Sequence, residues 1–279
     1  MRAASREALS NVAQKLDAFI RDTDSADTVS VAAQTGTELF LVVDQLEKDR
    51  TLRVAVADAS LKEEQRTGII SEVFGGKVAE PTLNILREAA AQVWSTPREF
   101  RAGLVHLGRR ALLRGAESEG KLETVEEELF ALSRLLERES ELTQLLSDRT
   151  ATADQKRSLL ANVLYGKVSM YTEALALQVV GRPEKNPVDD IAGISRESAE
   201  LTGKTVAEVT SATELSASQR DALAEKLGKI YGREMAIHTE VDPSLLGGVT
   251  IRVGDEQIDG STRGKLARLR ADMAANTAY

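Results

Sequence analysis

Two glycine pairs are the residues in this chain that come closest to a nucleotide-binding motif. Gly75-Gly76 is followed by a lysine, and Gly247-Gly248 is followed by a β-branched run. A phosphate-binding loop also needs a Lys-Ser or Lys-Thr pair that opens a helix, and neither glycine pair has that context. We therefore interpret the first pair as a helix end and the second as a place where the backbone bends or packs closely.

Side chains that could carry acid–base, nucleophilic or metal chemistry are few. The carboxylates Asp255, Glu256 and Asp259 cluster by sequence, but their setting is typical of a solvated turn and a helix N-cap rather than of a pocket that shifts a pKa. His106 and His238 lie far apart, and there is no cysteine. The sequence predicts no catalytic residue, no metal site and no cofactor, and hence a chain that is not an enzyme by itself.

Composition limits the classes of partner. The chain has 279 residues, of which 42% are hydrophobic and 29% charged, as is typical of a folded globular protein. Its net charge is -8 and it has no long basic run, so we expect no nucleic-acid binding. No stretch approaches the ~20 apolar residues that a membrane-spanning helix needs. We expect any membrane association to occur only through partners.

Apolar residues recur at helical spacing over the first two hundred or so positions, and we expect these stripes to face a shared bundle core. The clearest stripes are Leu9, Val12, Leu16 and Phe19; Leu39, Val42, Val43 and Leu46; and Leu122, Val125, Leu129, Leu132, Leu135 and Leu136.

Three segments carry helix-start signals. Ser60 to Glu63 and Thr152 to Gln155 have the spacing of capping boxes, in which the first side chain and the last satisfy each other's backbone amides. Thr96-Pro97 places proline at the first helical position, where its missing N–H costs nothing. Helices are therefore predicted to begin at each of these segments.

The helical region contains an internal repeat. A shift of 90 residues places Leu39-Phe40 on Leu129-Phe130 and Gly76-Lys77-Val78 on Gly166-Lys167-Val168, with no gap between. The Gly-Lys-Val match is not dictated by helical periodicity. Two copies indicate a duplicated helical unit rather than a long solenoid.

After Leu201 the pattern changes to short β-branched or alternating runs, with one capped helix after Ser216. The predicted order is β-α-β-β-β-α, with a hairpin turn at Gly254-Asp255 and a last helix opening near Asp259. The expected fold is mainly α: a helical bundle followed by a small α+β domain. We predict three domains, namely an additional helical region at 1–104, a helical bundle at 105–202 and the α+β domain at 203–279.

The segment from Val241 to Leu266 carries a long motif with many fixed positions. It closely resembles the signature of the F-type ATP synthase delta subunit, whose mitochondrial counterpart is the oligomycin-sensitivity-conferring protein. The resemblance extends from about Gly108 to Met273. Its signature positions here, which are expected to act in structure or in stalk contact, are Asp242, Pro243, Leu245, Gly247, Gly248, Ile251, Gly254, Ile258, Asp259, Gly260, Arg263 and Gly264.

This resemblance implies a non-catalytic stator role in the peripheral stalk of a proton-translocating ATP synthase. The helical domain would grip N-terminal segments of alpha subunits in the catalytic headpiece, and the C-terminal domain would bind the membrane-anchored b-type stalk subunit. The protein would then be a peripheral part of a complex at the cytoplasmic face of the bacterial plasma membrane. Family members commonly begin near the equivalent of Leu107, so residues 1–104 are similar to the extension of actinobacterial forms.

Two other classes stay open at the level of the sequence. A helical adaptor unrelated to ATP synthase would show the same apolar stripes but would not co-purify with alpha and beta subunits. A small-molecule enzyme using the carboxylates near Asp255 would need a concave polar pocket there.

Overall fold

The computed structural model describes residues 1–23, 27–254 and 256–266. The described chain is helical up to Leu201 and mixed α/β after it, which confirms the predicted fold class. The helices are α1 (Ala3–Asp22), α2 (Thr28–Lys48), α3 (Arg50–Ala55), α4 (Glu63–Phe74), α5 (Glu80–Ala91), α6 (Pro97–Ser118), α7 (Leu122–Arg138), α8 (Ser140–Ser147), α9 (Ala153–Leu164), α10 (Met170–Gly181), α11 (Pro187–Leu201) and α12 (Ala217–Tyr231). The strands are β1 (Thr205–Ser211), β2 (Met235–Val241), β3 (Val249–Val253) and β4 (Glu256–Asp259).

Two of the three predicted helix starts are confirmed. The Thr96 side chain accepts a hydrogen bond from the Glu99 amide at 3.1 Å, and Thr152 forms the expected capping box at the start of α9. The prediction at Ser60 is wrong, because α4 begins at Glu63 with Lys62 as its N-cap. The Ser60 amide instead donates to the Asp58 carboxylate at 2.9 Å, in a turn that precedes the helix.

The internal repeat is visible in the element bounds. A shift of 90 residues carries α4 (Glu63–Phe74) onto α9 (Ala153–Leu164) and α5 (Glu80–Ala91) onto α10 (Met170–Gly181). Gly76 and Gly166 lie in equivalent turns, one in each copy, with φ of 70° and 68°. The same shift places α1 on α6 and α6 on α11. Helix α6 is therefore both the last helix of the first copy and the first helix of the second copy.

The chain folds into two compact units. Unit 1 comprises residues 1–125 and 139–187, and unit 2 comprises residues 126–138 and 188–279. These units follow compactness and do not coincide with the three domains predicted from the sequence. That three-part division stays a prediction.

Unit 1 has a core of leucine, valine and alanine side chains from α1, α2, α5 and α6. Leu16, Leu39, Leu46, Leu104 and Leu107 are fully buried in it. Helices α2 and α6 approach closely at two glycines: a Cβ on Gly36 would lie 2.8 Å from the Gly108 carbonyl oxygen. Trp94 is buried as well, and its indole N–H donates to the Ala89 carbonyl at 2.8 Å. The predicted stripe residues of α1 and α2 belong to this core, with Leu9 and Phe19 only partly buried against it.

Unit 2 contains a four-stranded sheet in the order β2-β1-β3-β4. Strand β1 pairs parallel with β2 and antiparallel with β3, and β3 forms a hairpin with β4. The side chains of Ala207, Val209, Met235 and Ile251 pack with Leu227 of α12 in one cluster. The predicted last helix begins after Ser261, and its continuation past Leu266 lies outside the described residues. Within the described ranges, no helix is long and apolar enough to cross a membrane.

Candidate functional site

The signature segment of unit 2 is organised by two aspartate turns. The Asp242 carboxylate accepts hydrogen bonds from the Ser244 amide and hydroxyl, both at 2.9 Å, and so caps a 3₁₀ turn at Pro243–Leu245. Both hydrogen bonds lower the pKa of Asp242, and the bond from the Ser244 amide has the larger effect. Asp259 accepts from the Ser261 amide at 2.9 Å and from its hydroxyl at 2.7 Å. Both carboxylates therefore act on their own backbone, two residues on.

The signature glycines bring the two turns together. A Cβ on Gly248 would lie 2.5 Å from the Gly260 carbonyl oxygen, and one on Gly264 would lie 2.0 Å from an Asp259 carboxylate oxygen. The Gly247 carbonyl accepts from the Thr262 amide at 2.9 Å. A side chain at Gly248 would push against the backbone of the opposite turn, and one at Gly264 would push against the Asp259 carboxylate of its own turn, so these positions are set by packing.

The remaining signature residues divide between core and surface. Leu245 and Ile251 are buried, and Ile258 stands opposite Ile251 on the hairpin with 40% of its surface exposed. Gly254 has φ of 59° in the turn before β4. Arg263 makes a long contact, at 3.4 Å, to the Ser244 hydroxyl that links the two aspartate turns.

Leu246 was not among the predicted site residues, although it lies inside the signature. Its backbone has φ of 62°, and it is the one described residue other than glycine with a positive φ. Its side chain is 69% exposed. The leucine side chain has no polar group that could hydrogen-bond to nearby backbone and so offset the energetic cost of this conformation. The surrounding turn must therefore impose it. Nothing in the residue pattern signals a left-handed leucine; only the backbone reveals it.

The residues considered for chemistry are engaged elsewhere. Glu256 accepts a hydrogen bond from the Tyr231 hydroxyl at 2.8 Å, and Asp255 lies outside the described residues. The His238 Nε2 lies 2.6 Å from a Glu126 carboxylate oxygen, with both side chains buried. Over the described part of the chain, no group of three or more His, Cys, Asp or Glu side chains could hold a metal ion.

Unit 2 also has a small polar cleft of about 220 Å³ beside its sheet. Its charged lining residues pair with one another. Arg252 binds Glu208, and Arg134 lies 3.8 Å from Glu240. A cleft whose charges are mutually neutralised offers no free acid, base or nucleophile.

Comparison with known proteins identifies the family. The profile of the ATP synthase delta (OSCP) subunit matches residues 110–273. The protein named ATP synthase subunit delta from Corynebacterium aurimucosum is 64% identical over 98% of this chain and 100% of its own length. The proteins of the same name from Corynebacterium efficiens and Corynebacterium diphtheriae are 63% and 58% identical, each over 98% of this chain and at least 99% of their own length.

A chain in the cryo-EM structure of the Toxoplasma gondii mitochondrial ATP synthase hexamer is similar at a TM-score of 0.35 and 20% identity, over 60% of this chain and 94% of that one. At that level the similarity adds nothing to the assignment, which rests on the family profile and the corynebacterial relatives. The chain belongs to the ATP synthase delta (OSCP) subunit family. It is a non-catalytic peripheral-stalk subunit of ATP synthase, a membrane-bound complex.

Proposed function

We propose that this chain links the catalytic alpha/beta headpiece to the b-type stalk subunit and resists rotor torque during ATP synthesis. Its helical part grips N-terminal segments of alpha subunits, and residues 203–279 bind the stalk. The chain sits at the cytoplasmic face of the bacterial plasma membrane and is held there by these two partners.

In a subunit that resists torque, the helices must not shift relative to one another under load. Unit 1 has ion pairs that hold its helices together. The Asp17 carboxylate accepts from Arg110 at 2.7 and 2.6 Å and from Arg114 at 2.7 Å, which fastens α1 to α6. Arg182 binds Asp44 and donates to the Phe40 carbonyl at 2.9 Å, which fastens α10 to α2. Charge-assisted and bidentate bonds of this kind fix geometry as well as adding stability.

Leu246 carries the proposal for stalk binding. It is a large apolar side chain, 69% exposed, in a backbone conformation that leucine rarely adopts. Strain of this sort is kept where the surrounding structure imposes it, and it clusters at functional positions. The aspartate turns and glycines of the signature present Leu246, and we assign them that structural role. Val241, 41% exposed, lies at the other end of the same turn and extends the apolar surface.

The test replaces Leu246 with asparagine, which tolerates a left-handed backbone and removes the apolar group. Full burial of a leucine against a partner contributes about 1.5–3 kcal/mol, so Leu246→Asn should weaken binding of the soluble stalk subunit about 10- to 100-fold. Binding of delta-depleted headpiece should be unchanged. Both are measured with the full chain by sedimentation.

Ile230→Asn is the matched control. Ile230 is 68% exposed, belongs to the same unit and lies on α12 outside the signature. It should leave stalk affinity unchanged. Equal loss in both variants, or full stalk affinity in a folded Leu246→Asn chain, would contradict the assignment of this surface.

A further inference from the structure

Three arginines and two carboxylates of unit 1 form what we call the arginine cluster: Arg101 of α6, Arg157 of α9, Arg182 directly after α10, and Asp44 and Glu47 of α2. Arg182 binds Asp44 and also donates to a backbone carbonyl of α2 at 2.9 Å. Arg157 lies 3.4 Å from Asp44, and Arg101 donates to Glu47 at 2.7 Å. The cluster therefore brings charged groups of four elements together.

Arg182 is the most buried charge of the cluster, and not all of its donors are used. Only 8% of its side chain is exposed, and a guanidinium has five N–H donors. Its Nη2 makes both bonds to α2. Its Nη1 and Nε have no hydrogen-bond partner in the part of the chain that the structure describes, although Nε lies 3.5 Å from one Glu47 oxygen. Arg101, which binds the other Glu47 oxygen, also has a buried Nε that makes no hydrogen bond to a described residue.

The positive charge of the cluster exceeds that of its own carboxylates. Asp44 and Glu47 supply two negative charges for three guanidinium groups. Asp154 also lies 3.2 Å from Arg157, but the Asp154 side chain is 92% exposed, so water screens that pair. A water molecule could accept the unused N–H bonds of Arg182, but it would not neutralise a buried cation. A negative ion would satisfy both the donors and the excess charge.

The internal repeat shows that the helical fold does not require these arginines. Their counterparts at a shift of 90 residues are all uncharged: Ile191 for Arg101, Thr67 for Arg157 and Gln92 for Arg182. The residue before Arg182 is Gly181, and a Cβ there would lie 2.4 Å from the Arg157 Nε. Glycine at this position therefore leaves room for a second guanidinium beside Arg182. The cations are a feature of this cluster rather than of the repeat.

We propose that the arginine cluster binds a small inorganic anion, such as chloride, phosphate or sulfate, at the unused N–H groups of Arg182. A guanidinium donates charge-assisted hydrogen bonds to such ions. The unused nitrogens of Arg182 are buried, which favours a free ion over a side chain carried by another protein. The inference goes beyond the proposed function, because it adds an inorganic ligand to a subunit that otherwise acts through protein contacts.

Glu47 is the group that the entering anion displaces. Its carboxylate is 31% exposed, and its approach to the Arg182 Nε at 3.5 Å is the longest ion contact in the cluster. When Glu47 turns towards solvent, the anion takes its place beside Arg182 and the Arg101 Nε. Glu47 therefore competes with the anion, whereas Arg182 holds it, and the two residues should have opposite effects on anion affinity.

The first experiment measures whether anions stabilise unit 1 in the full chain. Sodium chloride, phosphate or sulfate replaces sodium gluconate, whose anion is too large for the cluster, at constant ionic strength. Hydrogen exchange of α2, α6 and α10 reports local stability. Above the dissociation constant, each tenfold rise in the concentration of a bound anion should slow exchange about tenfold, because opening releases one ion. The ion with the lowest dissociation constant is the preferred ligand, and no such dependence with any of the three would overturn the proposal.

Three variants assign the effect to the cluster. Arg182→Gln should abolish the anion dependence, because it removes the buried charge and its unused donors. Arg149→Gln is the matched control: it makes the same change in net charge at an exposed arginine of unit 1 outside the cluster, and it should keep the dependence. Glu47→Gln should raise anion affinity about two- to fivefold, because it removes the competing carboxylate.

The Glu47→Gln result tests the proposal even if Arg182→Gln does not fold, which circular dichroism establishes. Equal anion dependence in Arg182→Gln and Arg149→Gln would refute the proposal, as would unchanged or weaker affinity in Glu47→Gln. Crystals of the full chain grown in sodium bromide then locate the ion by anomalous scattering. A bromide peak within hydrogen-bond reach of the Arg182 Nη1 is expected, and a peak only elsewhere would overturn the assignment.

Discussion

Gly248→Ala measures the cost of the close backbone contact inside the signature. Gly248 has φ of 76°, where an alanine costs about 1–2 kcal/mol. Its new Cβ would also lie 2.5 Å from the Gly260 carbonyl oxygen and 3.1 Å from the Ser261 α-carbon. The opposing turn cannot retreat freely, because the Gly260 amide donates to the Val249 carbonyl at 3.0 Å.

Two costs therefore add for this variant. Overpacking of a fixed contact costs about 1–3 kcal/mol, so together with the backbone term we expect Gly248→Ala to destabilise unit 2 by about 2–5 kcal/mol. With a urea m-value of about 2 kcal/mol/M, this lowers the unfolding midpoint of that unit by about 1–2.5 M.

Two other glycines of unit 2 separate these costs. Gly232, at the end of α12, has φ of 66° and no atom within 4 Å of a built Cβ, so Gly232→Ala should cost only the backbone term. Gly193 lies in α11 with an equally open Cβ position and no positive φ, so Gly193→Ala should stabilise by about 0.5–1 kcal/mol. The order of stability should be Gly193→Ala, unchanged chain, Gly232→Ala, Gly248→Ala.

Hydrogen exchange of the four strands, measured by mass spectrometry across urea concentrations, reports the stability of unit 2 by itself. If Gly248→Ala and Gly232→Ala differ by less than about 0.5 kcal/mol, a typical effect of a surface change, the contact with Gly260 relaxes freely. The proposed packing role of the signature glycines would then be wrong.

Further predictions concern the ion pairs of unit 1. Burial alone would raise the pKa of Asp17, but hydrogen bonds and charge from Arg110 and Arg114 outweigh it and lower that pKa. Stability from these ion pairs is therefore fully present above the ordinary carboxyl pKa of about 4 and is lost as pH falls from there through the lowered pKa, so Asp17→Asn should cost about 1–3 kcal/mol at pH 7 and less at pH 3 in urea unfolding. Equal losses at both pH values would refute the charge assignment. Arg182→Met should cost about 1–3 kcal/mol, and a double-mutant cycle with Asp44→Asn should give a coupling of about 1 kcal/mol or more; additive effects would show that the two residues do not stabilise each other.

Local patterns in the sequence predicted the elements because the signals that specify them are local. The alternation in β2 and β3 and the Gly-Asp turn between β3 and β4 gave the hairpin, and helical spacing gave the buried leucines of α2 and α7. The prediction that Ser60 caps α4 was wrong because other local hydrogen bonds compete with that cap. Asp58 competes for its amide two residues upstream, and Gln65 then accepts from the Lys62 amide at 2.9 Å.

Features that depend on distant parts of the chain could not be predicted from it. His238 and Glu126 meet across 112 residues of sequence, and the pattern around each is that of an ordinary strand and helix. Leu135 belongs by spacing to the apolar stripe of α7, yet it is 41% exposed. The left-handed backbone of Leu246 is likewise set by turns on either side of it rather than by its own residue type.

The repeat also reuses one helix face for different contacts. On α2 this face carries Gly36, Phe40 and Asp44, four residues apart, and within unit 1 it packs on α6 and binds α10. A Cβ on Gly108 of α6 would lie 2.6 Å from the Phe40 ring, while Arg182, the residue after α10, binds Asp44. The first copy is attached to the second by close packing at one end of the face and by an ion pair at the other.

The equivalent face of α7 carries Glu126, Phe130 and Arg134, and within unit 2 it binds strand β2. Glu126 binds His238, the Phe130 ring lies 4.4 Å from the His238 ring, and Arg134 approaches Glu240 at 3.8 Å. Aromatic packing is kept at the middle position, while the charge at the third position is reversed from acidic to basic together with that of its partner. Each copy thus uses the second helix of the repeat to attach to the structure that follows it, and the charge reversal would set like charges against each other if either face met the other's partner.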